Sequence, residues 1–164
     1  MAFVCVQNAG RSQMATAFAE QAVADRGLRG RVDVVTGGTD PADRVHDEVV
    51  AAMRDVGVDL SDRTPREVTP DDLADCDYVV TMGCDAASVC PATWSGDNRD
   101  WGLDDPDGAD PEAVAAIRDD IRDRVAALFD ELDASGAGRA DDDGHNDGEG
   151  DGADNDGGDG SDTV

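Results

Sequence analysis

The chain of 164 residues is 39% hydrophobic, which is enough for one domain with an apolar core and too little for two. Its formal net charge is -26, with 39 acidic against 13 basic residues, so charge repulsion argues against nucleic acid and anionic membranes as partners. The basic residues are all Arg and Asp far outnumbers Glu, a composition that predicts an acidic surface adapted to high salt. The alternative is an acidic protein that docks on a basic partner.

The cysteines and the N-terminal sequence indicate a cellular compartment. Cys5, Cys76, Cys84 and Cys90 are too few and too unevenly spaced for the disulfide framework of a secreted domain, which favours a reducing compartment. The sequence enters directly into a strand pattern, so we expect no signal peptide. No window approaches the roughly 20 apolar residues that a membrane span needs. These features predict a cytoplasmic protein.

Strand and helix patterns alternate along the chain. Apolar or β-branched runs predict buried strands at 2–6, 31–36 and 78–82. Apolar residues at helical spacing predict long helices at 11–26, 46–56 and 111–133. Successive strand, helix and strand segments form right-handed parallel crossovers. The expected fold is therefore α/β, a small parallel sheet of about four strands with helices on both faces and the site at the carboxyl ends of the strands.

The remaining segments are less regular. Residues 58–73 contain Pro65 and Pro70 and predict an irregular connection with a short helix capped by Thr69. Residues 83–110 predict a long functional loop or flap, with an edge strand near 99–103. The final helix is expected to begin at Pro111 with Asp110 as its N-cap.

The composition changes after Ala134. Residues 135–164 are mostly Asp, Gly and Asn, and they cannot bury enough apolar surface to offset the entropy of the chain. We therefore predict a catalytic domain at 1–134 and a disordered acidic tail at 135–164.

A loop between the first strand and the first helix is the main candidate site. Its residues are Cys5, Val6, Gln7, Asn8, Ala9, Gly10 and Arg11. Backbone N–H groups in such a loop, at a helix N-terminus, can form a concave site for a tetrahedral oxyanion, and the Arg11 guanidinium can donate to two of its oxygens. The same donors, with the Ser12 hydroxyl, stabilise a thiolate, so Cys5 is predicted to be a nucleophile. The alternative is an inert, buried Cys at the end of a strand.

Three segments together resemble a known superfamily. They are FVCVQNAGRSQMA at 3–15, TMGCDAASVCP at 81–91 and DWGLDDPDG at 100–108. The set is similar to the low-molecular-weight protein tyrosine phosphatases, and most similar to their thioredoxin-coupled arsenate reductase branch. The resemblance covers roughly residues 2–133 and implies the fold of that superfamily.

The resemblance implies a role for each of three thiols. In that branch one Cys attacks arsenate, a second attacks the arsenylated intermediate and releases arsenite, and a third resolves the disulfide for thioredoxin to reduce. By position these are Cys5, Cys84 and Cys90. Reduction of As(V) to As(III) takes two electrons, which a dithiol supplies by becoming a disulfide. The resemblance thus implies a thioredoxin-like reductant as partner and no other cofactor.

The resemblance also implies the general acid. Asp105, immediately before Pro106, stands where the family places the residue that protonates the leaving oxygen. The phosphatase branch usually follows this Asp-Pro with Tyr, whereas Asp107 stands here, and many relatives carry Gly where this chain has Gln7. Asn8 matches an Asn that braces the loop and in some members helps to hold a potassium ion, whose other ligands cannot be placed from this sequence.

Other functions stay open at the level of sequence. A phosphoric monoester hydrolase acting on phosphotyrosine or small phosphates would need only Cys5, Arg11 and Asp105. A non-catalytic module would bind an oxyanion, or sense redox state, with an idle Cys5. Cys84 and Cys90 are alternatively small loop hydrophobes or part of a metal site. Zinc would need two more ligands, which only Cys76, His46 and His145 could supply, so no metal is predicted.

Overall fold

The computed structural model of the chain describes residues 1–136. The predicted disordered tail therefore lies outside the described residues, apart from Ser135 and Gly136. The last helix ends at Ser135, with Gly136 as its left-handed C-cap at a φ of 75°. Every helix within residues 1–136 is too short or too polar to cross a bilayer.

A parallel sheet of 4 strands forms the centre of the fold, as predicted. The strands are β1 (Ala2–Cys5), β2 (Val35–Gly38), β3 (Tyr78–Met82) and β4 (Asp97–Asp100), in the spatial order β2-β1-β3-β4. The central strand β1 is buried along its whole length, as is β3 after Tyr78, because these strands are covered on both faces.

Helices cover both faces of the sheet. They are α1 (Arg11–Asp25), α2 (Asp47–Arg54), α3 (Pro70–Leu73), α4 (Ala86–Val89) and α5 (Pro111–Ser135). Phe3 points to the face that carries the long helices α1 and α5, together with α2. Val4 points to the opposite face, where Leu73 of α3 and Val89 of α4 pack. Alternate residues of one short strand thus supply two apolar cores.

The end-capping residues predicted for two helices are confirmed. Asp110 Oδ1 accepts a hydrogen bond from Ala113 N at 2.8 Å, and Pro111 is the first residue of α5. The Thr69 hydroxyl accepts from Asp72 N, while the Asp72 carboxylate accepts from Thr69 N, which forms a capping box at α3.

The predicted position of the second strand, 31–36, is wrong: β2 begins at Val35 and includes Gly37 and Gly38. A Cβ on Gly37 would stand 2.7 Å from Val68 Cβ, and one on Gly38 would stand 2.5 Å from Val6 O. The glycines are therefore part of the strand because neighbouring segments approach its backbone closely. Of the run 31–36 that suggested the strand, Val35 and Thr36 lie in β2 and residues 31–34 precede it.

The predicted edge strand near 99–103 is also displaced. β4 consists of the polar residues 97–100, and the chain leaves the sheet at Trp101, which packs on Phe3 with ring centroids 5.9 Å apart. Strand formation here follows from pairing with β3 and not from an apolar pattern. The region 83–110, predicted as a long loop or flap with one edge strand, contains α4 as well as β4.

The register of the sheet brings three connections together. Cys5 pairs with Gly38 of β2 on one side and with Met82 of β3 on the other. The segments that follow β1, β2 and β3 therefore begin side by side at the carboxyl edge of the sheet, where ligands bind in parallel α/β folds.

Candidate active site

The loop from Cys5 to Arg11 joins the last residue of β1 to the first residue of α1, as predicted. Each backbone carbonyl from Cys5 to Gly10 accepts a hydrogen bond from outside the loop or from α1. The donors are Thr39 N, Asp40 N, Ala42 N, Gln13 Nε2, His46 N and Met14 N, at 2.8 to 3.2 Å. The segment after β2 and the first turn of α1 thus hold the carbonyl groups away from the centre of the loop.

The N–H groups of this loop are left for a ligand. Asn8 N donates to Cys5 Sγ at 3.2 Å, whereas the N–H groups of Gln7, Ala9 and Gly10 have no acceptor among residues 1–136. A buried loop with unpaired N–H groups at a helix N-terminus is suited to an anion. The geometry agrees with the predicted oxyanion loop.

Cys5 lies at the base of this loop and is 2% exposed. Its Sγ is 2.9 Å from Ser12 Oγ and accepts from Asn8 N, so a negative charge on sulfur has two close hydrogen-bonding partners. Asn8 Nδ2 in turn donates to Ser12 Oγ at 2.7 Å. Because the hydroxyl oxygen accepts from Asn8, its hydrogen is free to point to Cys5.

Asn8 braces the loop, as predicted, and is fully buried at a left-handed φ of 51°. Its Nδ2 also donates to Thr36 Oγ1 at 2.8 Å, which ties the loop to β2. Its Oδ1 accepts from Arg66 N at 3.0 Å and from Gln13 Nε2 at 3.1 Å, which uses both lone pairs.

The Asn8 side-chain oxygen is fully used by hydrogen bonds within the protein, because Oδ1 accepts from two N–H donors. Gln13 Oε1 is the single buried side-chain N or O atom in residues 1–136 without a partner. The potassium ion that the resemblance leaves possible therefore stays a prediction without placed ligands.

Arg11 lies over the loop, with a side chain that is 9% exposed. Its Nη1 donates to Leu103 O at 3.2 Å, and its Nη2 is 3.7 Å from Asp105 Oδ2. The remaining guanidinium donors are available to an anion. A small pocket at this point is lined by Cys5, Gln7, Gly10, Arg11, His46 and Asp105. The structure therefore brings the predicted nucleophile, Arg and acid together.

Gly10 sets how closely the segment 103–108, which carries Asp105 and Pro106 and is called the acid loop below, approaches the oxyanion loop. A Cβ at this position would stand 2.8 Å from Pro106 Cγ, next to Asp105. We expect Gly10→Ala to displace the acid loop and to lower turnover by roughly 10- to 100-fold, because small misplacements of reacting groups are costly. Steady-state kinetics would measure this loss.

Gly102→Ala is the matched control for Gly10→Ala. Gly102 precedes the acid loop and would have no atom within 4 Å of an added Cβ. Equal losses in both variants would contradict the proposed contact between Gly10 and Pro106.

Cys84 lies two positions after β3, on the segment beside the Cys5 loop. Its Sγ is 3.6 Å from Val4 O, in the strand that ends at Cys5. Burial raises the pKa of the Cys84 thiol; a backbone hydrogen bond with Met82 opposes this shift, and the charge of Cys5 adds to it. Gly83, at a φ of +80°, leaves room for the Arg11 guanidinium, since a Cβ at position 83 would stand 2.7 Å from Arg11 Nη1.

Cys90 lies outside the pocket. It is the C-cap of α4 and packs against the apolar cluster on the far face of the sheet, as do Cys84, Cys76 and Trp94. Burial raises the pKa of the Cys90 thiol, and the charge of Cys76 adds to this. Cys84 and Cys90 therefore lie against the same cluster, outside the pocket, and the roles of both remain predictions.

Comparison with known proteins identifies the family. The model of the low molecular weight phosphotyrosine protein phosphatases matches residues 1–137. The chain belongs to this family. A Halobacterium salinarum protein named "Putative arsenate reductase" is 58% identical over 130 residues, which are 79% of this chain and 90% of that protein.

Two solved structures of arsenate reductases share the fold. The thioredoxin-dependent arsenate reductase of Corynebacterium glutamicum is 33% identical, with a TM-score of 0.66, and the match covers 82% of this chain and 61% of that one. An arsenate reductase in the phosphate binding state is 33% identical, with a TM-score of 0.65, over 80% of this chain and 96% of that one. The predicted phosphatase-like fold is confirmed.

The site includes Thr36 and Leu103, which the sequence did not single out, and His46, which was considered there only as a zinc ligand. Thr36 and His46 reach the loop from β2 and from the start of α2, and Leu103 O meets Arg11 from the acid segment. For Thr36, the only local indication was that a polar residue ends the strand predicted at 31–36. For His46 and Leu103 no local signal exists, because their roles follow from the tertiary fold.

His46 also belongs to a group of possible metal ligands. The ligand atoms of His46, Glu48 and Asp107 lie within 4.8 Å of one another. Glu48 Oε1 accepts from Gly108 N at 3.0 Å, so this carboxylate already holds the acid loop. Hydrogen bonds to its own backbone and to Gly108 lower the pKa of Glu48.

Proposed function

We propose that this protein is an arsenate reductase that uses Cys5 as nucleophile and a relay through Cys84 and Cys90 that a thioredoxin-like dithiol regenerates. The observation that carries the proposal is the position of Cys84. It follows the strand paired with β1 and lies beside the segment that ends at Cys5. A phosphatase has no use for a second thiol at this place, whereas a reductase requires one.

The proposed first step is an attack of the Cys5 thiolate on arsenic. The loop N–H groups and Arg11 hold the arsenate oxygens, and Asp105 gives a proton to the oxygen that leaves as water. The product is a Cys5 arsenate thioester in which arsenic is still As(V). Ser12 and Asn8 N, which contact Cys5 Sγ at 2.9 and 3.2 Å, keep the sulfur in place.

The proposed second step reduces arsenic. The Cys84 thiolate attacks Cys5 Sγ, a disulfide forms between the two sulfurs, and the electron pair of the sulfur–arsenic bond stays on arsenic, which leaves as arsenite. Cys90 then attacks Cys84, which frees Cys5 and produces a Cys84–Cys90 disulfide. A dithiol reductant of the thioredoxin class removes that disulfide.

The raised pKa of Cys84 predicts the pH dependence of the second step. Below the pKa of a thiol the thiolate fraction rises about tenfold per pH unit, so arsenite release in a single turnover should accelerate as the pH rises through neutrality. Rapid-quench measurement of arsenite at constant salt would follow this. A rate that is flat or falls with pH would contradict attack by Cys84.

The proposal includes the conditions under which the enzyme works. We place it in the cytoplasm, since thiol relays need a reducing compartment. The net charge of -26 with no Lys favours assay at high salt, where the repulsion between carboxylates is screened. The relative from Corynebacterium glutamicum is described as thioredoxin-dependent, which supports the choice of reductant.

A coupled assay tests the proposal. The protein would be incubated at high salt with arsenate, thioredoxin, thioredoxin reductase and NADPH. The expected result is consumption of NADPH in proportion to the arsenite formed, and none without arsenate. The proposal would be wrong if no arsenite formed with either the thioredoxin or the glutaredoxin system. Rapid hydrolysis of an aryl phosphate by the same protein would then identify a phosphatase.

The phosphatase alternative has one observation in its favour. Cys5, Arg11 and Asp105 line one pocket, and these three residues suffice for a cysteinyl-phosphate mechanism. Water would then resolve the intermediate without Cys84 or Cys90. We therefore expect slow phosphatase activity to accompany arsenate reduction.

A further inference from the structure

Gln7 lies in the oxyanion loop, between the end of β1 and Asn8, and has a long polar side chain. It is half-buried and lines the pocket together with Cys5, Arg11 and Asp105. Its backbone is fixed, since Gln7 O accepts from Ala42 N at 2.9 Å. The side chain therefore starts from a rigid position next to the place where the oxyanion binds.

His46 determines which way the Gln7 amide faces. Gln7 Oε1 is 2.8 Å from His46 Nε2, and because an amide oxygen only accepts, Nε2 carries the proton. His46 is itself held as the N-cap of α2, with His46 N donating to Ala9 O at 3.0 Å and a side chain that is 17% exposed. The amide oxygen of Gln7 is thus turned to the pocket wall.

The other end of the amide is then free to donate. Gln7 Nε2 is not buried and donates no hydrogen bond within residues 1–136, whereas the amide oxygen of the same group is held by His46. The N–H groups of Gln7, Ala9 and Gly10 are unpaired in the same way. An unpaired amide donor at the rim of an anion site, fixed by a second residue, has the properties of a ligand-binding group.

We propose that the Gln7 side-chain amide binds an oxygen of the tetrahedral oxyanion, and that His46 is a positioning residue that orients this amide. The inference rests on the oxyanion site proposed above. Gln7 would add a neutral donor to those of the loop N–H groups and Arg11. A neutral donor at position 7 is consistent with the surroundings. Asp107 Oδ1 lies 4.0 Å from His46 Nδ1, so a cationic side chain in place of Gln7 would pair with that carboxylate and not with the oxyanion.

The first test uses the unchanged protein. The chain contains Gln7, Gln13 and Gln21 as its only glutamines, so selective labelling with 15N-glutamine gives side-chain amide signals for these residues alone. Titration with inorganic phosphate should shift the Gln7 amide protons. The exposed Gln21 serves as the internal control, whereas Gln13, whose Nε2 is bonded to Asn8, reports on the loop itself.

The outcomes of this titration are distinct. A saturating shift of the Gln7 amide protons with Gln21 unchanged supports the proposal. Phosphate binding, detected by calorimetry, with no change at Gln7 overturns it and leaves the oxyanion site intact. A protein that binds neither phosphate nor arsenate overturns the oxyanion site itself, and the role of Gln7 with it.

The second test is a double-mutant cycle with phosphate affinity as its readout. Gln7→Ala should weaken phosphate binding by about tenfold, the scale of one hydrogen bond to a charged group. His46→Ala should weaken it in the same direction, and His46→Gln, which keeps a donor for Gln7 Oε1, should restore part of the loss. In the Gln7→Ala background, His46→Ala should have almost no further effect.

Arg44→Ala is the matched control for charge and position. Arg44 lies two residues from His46, pairs with Asp47 and is 78% exposed, so its loss removes a nearby cation without touching the pocket. Phosphate affinity should stay within about twofold of wild type. Gln7→Ala within twofold of wild type, or losses from Gln7 and His46 that simply add, would overturn the proposal.

Discussion

Replacement of Cys5 by Ser should abolish arsenate reduction and any hydrolysis of aryl phosphates. A Ser Oγ would keep the hydrogen bonds to Ser12 and Asn8 N, so the loop should retain its shape. A hydroxyl is not ionised near neutral pH, however, and supplies almost no nucleophile. We expect turnover to fall by at least about a thousandfold, the scale typical of the loss of a nucleophile.

Two controls separate chemistry from folding in this variant. Phosphate binding should persist in Cys5→Ser, because the N–H groups of the loop do not depend on the thiol. Cys76→Ser should keep full activity, since Cys76 packs on the far apolar cluster and is not part of the pocket. Activity of Cys5→Ser within roughly tenfold of wild type, about 1.4 kcal/mol of barrier, would be incompatible with the mechanism.

The order of the elements and the chemistry of the first loop were predictable from sequence. The apolar runs of β1 and β3 and the spacing along α1 and α5 are local patterns. Cys5, Arg11 and Ser12 lie on one continuous stretch, so their proximity follows from a strand, a short loop and a helix. For this part of the site, local sequence and tertiary structure agree.

Other parts depend on contacts between distant segments. Gly37 and Gly38 lie in β2 because Val68 and Val6 approach them, which the two residues themselves do not reveal. The polar strand β4 exists because β3 offers an edge. His46 reaches Gln7 only when α2 begins beside the loop, so neither the orientation of Gln7 nor the pocket wall could be predicted from periodicity.

The thiol relay lies between these cases. Cys84 follows the strand predicted at 78–82, and the register shows that this strand pairs with β1. Cys90 has its role only through the resemblance, and the structure has it as the C-cap of α4, against the far apolar cluster. Cys84 packs against the same cluster, which no local pattern of the sequence indicated.

Replacement of Cys84 by Ser should stop the reductase after its first step. Cys5 would still attack arsenate, but no thiol would be present to displace arsenic, so arsenite formation should fall to background. Aryl phosphate hydrolysis should continue, because water resolves a cysteinyl-phosphate. Loss of one activity and retention of the other in the same variant would exclude misfolding as the cause. Loss of both would indicate a structural role for Cys84.

Replacement of Cys90 by Ser should block the relay one step later. One arsenite should form per protein, and the chain should then hold a disulfide between Cys5 and Cys84. Thioredoxin should reduce this disulfide poorly, because Cys5 is buried. Wild type after single turnover should instead hold a disulfide between Cys84 and Cys90. Mass spectrometry of peptides under alkylating conditions distinguishes these pairs. If neither disulfide appears with arsenate, and both variants hydrolyse aryl phosphate as wild type does, the thiols take no part in chemistry and the pocket serves a phosphatase.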